Sequence, residues 1–388
     1  MRRPRITALL IVVLFVGCSN PKEETLAAFD VFCEMVANEA KPVALGHPMN
    51  KEILDDYWID FESTADKYGV LLYREPDFPV TELFPASVTK GKEVPVIYKE
   101  ARLTQYHQFK KDLDQLDKRE AARRFGRLLG YTVQGINELL MKNTDYRSLA
   151  SFDVNQQITH LYYADAAAAH QFYLEVLGLT YEEEKGFQVG VDAFIQVHAA
   201  NDEHPAQQPK STAIAFLTDQ LPEWYAHIQE QVVPIKYTYK PRDGGPHDGF
   251  VAIDPGGHLL EFEQFKQHPE NELFMAVLES APRLQTSVDQ LNFYGSITWT
   301  YHNDLLQMQH FYEEVLGYRL VADQGWTKIY QTSSAGFIGL VDERRGMMDY
   351  ADEKAIEIEW QLDEVEEAIN YFGKQNLIGP EKYIYRLR

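Results

Sequence analysis

The groups able to do chemistry gather in the C-terminal two-thirds of this sequence. His160 lies in ITHLYY, His198 in FIQVHAAN and Glu261 in DPGGHLLEF. All three segments read as β-strands, in which alternate residues share a face. Ile158, His160 and Tyr162 therefore share one face of the first strand. Phe194, Gln196 and His198 share one face of another. An imidazole and a carboxylate on facing strands can ligate a divalent metal, act as general acid and base, or form a buried hydrogen-bonded pair. Tyr162 beside His160 can position a polar ligand oxygen or simply pack. His247 and His258 flank the closing strands as further candidates. Cysteine offers less, since the chain has only Cys18 and Cys33. Phe29, Phe32, Cys33 and Val36 follow the i, i+3, i+4, i+7 spacing of a buried helix face, so Cys33 reads as a core residue. No CxxC or Cys/His zinc pattern occurs.

The elements that position these groups are repeated. ITHLYYADAAAAHQFYLEVLGL begins at Ile158, and ITWTYHNDLLQMQHFYEEVLGY begins 139 residues later at Ile297. The segments align without a gap and share ten of 22 positions. Self-similarity of this kind marks one structural unit used twice. Each copy opens with a strand. Asp165 and Asp304 are placed as N-caps. The helices then carry Ala169, Phe172, Tyr173, Val176, Leu177 and Met308, Phe311, Tyr312, Val315, Leu316, both at i, +3, +4, +7, +8. Gly178 and Gly317 sit where a left-handed stop is needed. Each copy has a second, weaker strand–helix half, STAIAFLTDQLPEWYAHIQEQ and KAIEIEWQLDEVEEAINYFGKQ. The first copy closes with DPGGHLLEFEQF. The second stops at Arg388 without a closing counterpart, which implies an exposed sheet edge, a partner chain such as a second copy covering it, or truncation.

FYLEVLGL followed at this separation by DPGGHLLEF resembles the vicinal oxygen chelate superfamily, which includes glyoxalase I, bleomycin-resistance proteins and extradiol dioxygenases. The resemblance implies an α+β fold of tandem βαβββ modules forming cup-shaped half-barrels, over 155–266 and, incompletely, 295–388. It also implies metal ligands on the cup's inner wall, from the first strand of each unit and the last strand of the second. His160 and Glu261 stand at two such positions, and Ala213 occupies the middle one. His198 is the nearest group able to complete a site for Fe, Mn, Ni or Zn. In the second copy the corresponding residues are Trp299 and Glu357. Trp299 and Trp326 then suggest an aromatic-filled cup or a ligand stack, so Tyr162, Trp299 and Glu357 are ligand-binding candidates. Three functions are expected from this: a small-molecule binding protein using the cup of module 1, with or without a metal; a metal-dependent glyoxalase- or dioxygenase-type enzyme using His160 and Glu261; or a non-catalytic scaffold at the membrane.

The remaining sequence sets the surroundings. Residues 19–150 read as a mainly helical domain of no recognised family. Helices are predicted near 23–40, from Asn50, and over 100–116 and 118–130, the last capped by Asp117 with Glu120. Strand-like runs fall at Val70–Tyr73 and Val94–Tyr98. Residues 1–18 read as a secretory signal: Arg2, Arg3 and Arg5 precede twelve uncharged residues, Ile6–Gly17, and then Cys18. LFVGC resembles the lipobox of bacterial lipoproteins, which implies lipidation at Cys18 and an extracytoplasmic, membrane-anchored protein, at the outer membrane in a two-membrane bacterium. The net charge of −22 argues against a nucleic-acid backbone as partner, because no basic field displaces phosphate counterions.

Overall fold

The computed structural model describes residues 21–288 and 290–388, so the leader and Cys18 lie outside the described residues. The chain divides into two compact units, one ending at Asp145 and one spanning Tyr146–Arg388. Among the described residues no helix is long and apolar enough to cross a membrane.

The first unit is mainly helical, as its sequence predicts. It comprises α1 (Pro21–Ala37), α2 (Lys51–Tyr68), α3 (Ala86–Thr89), α4 (Glu100–Asp112), α5 (Lys118–Leu128) and α6 (Val133–Asn143). Strands β1 (Val43–Leu45), β2 (Leu71–Glu75) and β3 (Val94–Tyr98) form a sheet of order β1-β3-β2. Asp117 caps α5 by accepting from the backbone N–H groups of Arg119 and Glu120, each at 3.0 Å. Cys33 is buried beside Phe29 and Val36. Burial pushes its thiol up to about 12, so it is an inert core residue.

The second unit contains both repeats. The first runs β4 (Val154–Tyr163), α7 (Ala166–Gln171), β5 (Tyr181–Glu182), β6 (Gly186–Gly190), β7 (Ala193–Ala199), then β8 (Thr212–Leu217), α8 (Leu221–Glu230), β9 (Ile235–Tyr237), β10 (His247–Ile253) and β11 (Leu259–Phe265). A connector carries α9 (Glu272–Ser280), β12 (Leu284–Gln285) and β13 (Asn292–Phe293). The second repeat runs β14 (Gly295–His302), α10 (Leu305–His310), β15 (Arg319–Asp323), β16 (Thr327–Gln331), β17 (Gly336–Asp342), β18 (Ile356–Leu362), α11 (Val365–Phe372), β19 (Asn376–Ile378) and β20 (Ile384–Leu387).

The repeats exchange halves. Sheet I has the order β19-β20-β18-β4-β7-β6-β5, so the first half of repeat one pairs with the second half of repeat two. Sheet II has the order β15-β16-β17-β14-β8-β11-β10-β9 and joins the remaining halves. The two sheets meet through their inner faces, where Thr159 Oγ1 lies 2.7 Å from Thr298 Oγ1 and Gln157 Nε2 donates to Phe337 O at 3.2 Å. Each complete cup is therefore built from both repeats, and the expectation of one self-contained cup over 155–266 is corrected.

The second repeat does have a closing strand. β20 runs parallel to β18 just as β11 runs parallel to β8. This half has one outer strand fewer than its counterpart, and the sheet edge is the three-residue β19. DPGGHLLEF has no counterpart in sequence because β20 is short and enters through a different turn.

The predicted caps are present: Asp165 accepts from Ala168 N–H and Asp304 from Gln307 N–H, both at 3.0 Å. Gly178 and Gly317 adopt φ of 64° and 74°. One detail differs. Phe172–Val176 and Phe311–Leu316 are single π-helical turns. A π turn inserts an extra residue and rotates the side chains after it around the helix axis. Val315, placed on the buried stripe by a 3.6 period, is consequently 39% exposed.

Candidate functional site

FYLEVLGL and DPGGHLLEF meet in space, and their meeting is structural. Asp254 Oδ1 accepts from the N–H groups of Gly256 (2.9 Å) and His258 (2.8 Å), closing the DPGGH turn. Its Oδ2 accepts from Tyr163 (2.6 Å) and from Tyr173 of FYLEVLGL (3.2 Å). This is a buried clamp between turn, first strand and helix, so the motif pair specifies the fold rather than a reaction. His258 belongs to the same layer, against Tyr163 at 5.1 Å between ring centres.

The outer face of sheet I carries a polar cluster. Strand alternation puts Ile158, His160 and Tyr162 on it, because Leu161 and Tyr163 fill the inner core. Register sets His160 opposite Glu357, and Tyr162 opposite His198. His160 Nδ1 and His198 Nε2 share a hydrogen bond of 2.8 Å, and His160 Nε2 lies 3.3 Å from Glu359 Oε2. Glu357 accepts from Tyr162 (3.2 Å), pairs with His204 Nε2 (3.2 Å), and is ion-paired to Arg386. Arg388 Nε stands 3.4 Å from Glu359. His204, on the loop after β7, stacks on Tyr162 at 3.9 Å and closes the cluster from above. His160, Tyr162, His204, Glu357 and Glu359 are all buried.

The electrostatics fit a charge-compensated network. Burial opposes ionisation of Glu357 and Glu359, but their partners outweigh it and both carboxyls titrate below their ordinary value. Burial also opposes charge on His204, yet Glu357 and Gln208 raise its pKa. His198 goes the other way: burial, with His160 beside it, lowers it to about 4 and keeps it neutral.

Glu261 is elsewhere. It lies on β11 with Leu259, Glu263 and Phe265, on the outer face of sheet II. His160 and Glu261 point away from each other from opposite outer faces. The expected metal site joining them is corrected, because the exchange of halves separates strands that a self-contained cup would bring together. Trp299 accompanies Glu261 on sheet II, whereas Tyr162, His198 and Glu357 accompany His160 on sheet I.

The sheet II face is largely covered by α9. Phe274 inserts between Phe265 and Phe337, at 4.7 and 4.9 Å. Beside this plug remains a cavity of about 180 Å³, lined by Glu261, Glu263, Trp299, Tyr301, Trp326 and Met347 among others. Arg345 lies over Trp326 at 5.0 Å. A second hollow of about 560 Å³ shares Glu261, Glu263, His247 and Met347 with it and adds Lys236, Lys240 and Arg242. Burial raises Glu261 to about 7, with Glu263 and Lys236 opposing. Burial and Glu261 together push Glu263 well above its ordinary range. The pair thus prefers to hold a proton. Trp299 Nε1 and Glu263 Oε2 are buried without a hydrogen-bond partner, so the cavity offers one donor and one acceptor to an incoming group.

The divalent metal implied by the resemblance does not fit either face. A catalytic metal wants three protein ligands and an open position. On sheet I, His160 Nε2 and Glu359 could ligate, but Glu357 and His198 are engaged with other partners. Among the described residues no imidazole makes hydrogen-bonding contact with the two carboxyls of sheet II. Among the described residues no group of three or more His, Cys, Asp or Glu side chains is arranged to hold an ion.

Comparison with known proteins agrees with the fold. Residues 156–262 match the Glyoxalase/Bleomycin resistance protein/Dioxygenase superfamily. Similar solved structures include glyoxalase I from Zea mays (14% identity, 60% of this chain and 91% of that one, TM-score 0.39). An integron cassette protein from V. cholerae has 23% identity over 29% of this chain and 94% of its own, with a TM-score of 0.23. Lactoylglutathione lyase from Agrobacterium tumefaciens has 20% identity over 28% and 96%, with a TM-score of 0.23. Likeness at this level carries no information about activity. No curated protein matches the sequence.

Glu359, His204, Glu263, Arg386 and Arg388 are not singled out by sequence reasoning. One signal exists for Glu359 and Glu263: each lies two residues from a candidate carboxylate on a strand, and so shares its face.

Proposed function

We propose that this protein binds a small organic molecule in the sheet II cup. A cationic or hydrogen-donating head would sit on Glu261 and Glu263, and a planar apolar part against Trp299 and Trp326. The observation that carries this reading is the cavity of about 180 Å³, floored by the buried Glu263 and the half-buried Glu261 and walled by indoles. Cavities of ~150 Å³ accept one benzene-sized ring, and aromatic walls with carboxylates favour ammonium groups. The binding site thereby moves from the cup of one repeat to a cup shared by both. An enzyme uniting His160 with Glu261 is not favoured, since these residues lie on opposite faces.

Three matched probes separate the contributions: 2-phenylethylammonium, 2-phenylethanol and 3-phenylpropionate. The expected order of thermal stabilisation and Trp fluorescence change is ammonium, then alcohol, then carboxylate. Glu261→Gln should weaken the ammonium by roughly tenfold, about the ~1.4 kcal/mol of one charge-assisted hydrogen bond. Equal response to all three probes, or to none, would defeat the proposal.

The lipobox-like LFVGC further supports a lipid-anchored, extracytoplasmic protein. Metabolic labelling with an alkynyl fatty acid should tag the wild type and leave Cys18→Ala unlabelled and released from the membrane fraction. Labelling that survives Cys18→Ala would rule the anchor out.

A further inference from the structure

We infer that the sheet I cup carries its own fixed cation, Arg386, in the place where a bound metal ion would otherwise be held. The inference stands apart from ligand binding on sheet II. It begins from comparing the two cups within one chain. Trp299 pairs with Ala213 across the centre of sheet II, and His160 pairs with Glu357 across the centre of sheet I. Two residues further along β8 and β18 stand Ala215 and Glu359. Their partners on the parallel closing strands are Glu261 and Arg386. Arg386 therefore occupies in sheet I the position that a carboxylate, Glu261, occupies in sheet II.

The surroundings of Arg386 are those of a cation site. Its guanidinium pairs with Glu357, and Arg388 reaches Glu359. His160 Nε2 and Glu359 Oε2 face each other at 3.3 Å in ion-pair contact without a well-aligned hydrogen bond, and Arg386 Nε is buried with no hydrogen-bond partner. His160 Nδ1 is already fixed by His198, the outer hydrogen bond that a ligating imidazole usually has. Two ligand atoms thus converge, the imidazole is oriented, and the place of a third ligand is taken by a guanidinium. A divalent ion entering here meets a fixed positive charge at close range, which excludes it. The same charge neutralises the carboxylates without any ion, so the cup is stable when metal-free.

Reversing that charge should open the site. The full chain in detergent is titrated with Zn²⁺ and, separately, Mn²⁺, by calorimetry and by competition with a chromophoric chelator. Wild type is expected to bind neither stoichiometrically. Arg386→Glu supplies a third ligand beside His160 and Glu359, and should bind about one equivalent of Zn²⁺, on the order of 100-fold tighter than wild type. Adding His160→Ala should remove that gain. Arg386→His supplies a ligand without a third negative charge and serves if crowding of carboxylates prevents the first variant from folding, as judged by circular dichroism. A folded variant of either kind with no gain overturns the inference. So does one equivalent of metal in wild type that disappears in Glu359→Gln, a result that stands whatever the variants do.

Discussion

Glu357→Ala is expected to destabilise the second unit by about 3 kcal/mol, the lower end of what removing one partner from a buried ion pair costs. Glu357 is 3% exposed and contacts both Arg386 and His204, with Tyr162 donating to it as well. Its removal leaves the Arg386 guanidinium without its carboxylate and takes the hydrogen-bond partner from His204 and Tyr162 within a buried layer. It also weakens the seam β4–β18, which joins the repeats in sheet I. For a unit of this size ~1 kcal/mol moves the unfolding midpoint by ~2–4 °C, so a fall of roughly 6–12 °C should appear in calorimetry. Glu357→Gln keeps the shape and part of the hydrogen bonding and should lose less. A fall under about 2 °C for the alanine variant would mean that the network is no more than surface pairing.

The pH dependence has a definite sign. Glu357 and Glu359 titrate below their ordinary 4.5 in the fold. Their contribution is complete above 4.5 and is lost as pH falls through the lower folded values. His204 titrates above its ordinary 6.5. Its contribution is complete below 6.5 and is lost as pH rises through the higher folded value. His198, held down at about 4, adds a contribution that is complete above 6.5 and is lost as pH falls towards 4, so the sheet I cluster is most stabilising near pH 6.5.

How much of this is legible in the sequence depends on the range of the interaction. The helix caps at Asp117, Asp165 and Asp304, the stops at Gly178 and Gly317 and the shared face of His160 with Tyr162 are local, and the sequence states them. The π turns are local too, but they break the period that reveals a helix, so the periodicity misplaces Val315. Partnerships between strands are not legible. FYLEVLGL with DPGGHLLEF identifies a module without saying whether its halves pair with each other or with those of the second copy. That choice decides whether His160 meets Glu261 or Glu359. The closing strand of the second copy is hidden for a related reason: β20 is four residues long, and its arginine replaces the carboxylate that would mark a closing strand.

Glu261→Gln should stabilise the second unit at pH 8 and have little effect near pH 4.5. Burial takes Glu261 from its ordinary 4.5 to about 7, so folding takes up a proton between these values. A group of this kind favours the fold at low pH and weighs against it as pH rises through the window. The interval corresponds to at most ~3 kcal/mol, and contact with water at the cavity mouth reduces this to ~1–2 kcal/mol. Several charged or titratable groups face the pair: Lys236 on β9, His247 and Asp248 on β10, Tyr301 on β14 and Arg345 from the loop after β17. Lys236 lowers Glu261 but does not outweigh burial. The glutamine stays neutral at every pH, so the variant's midpoint should change less than the wild type's between pH 5 and 8, and exceed it by several degrees at pH 8. Parallel curves for the two proteins would mean that Glu261 titrates normally. The same proton links stability to binding. An ammonium ligand seated on Glu261 and Glu263 must displace it, so binding should tighten as pH rises towards 8, and its measured heat should vary with the ionisation enthalpy of the buffer. A neutral ligand that leaves the proton in place would show neither effect, so one titration series in two buffers distinguishes the two heads.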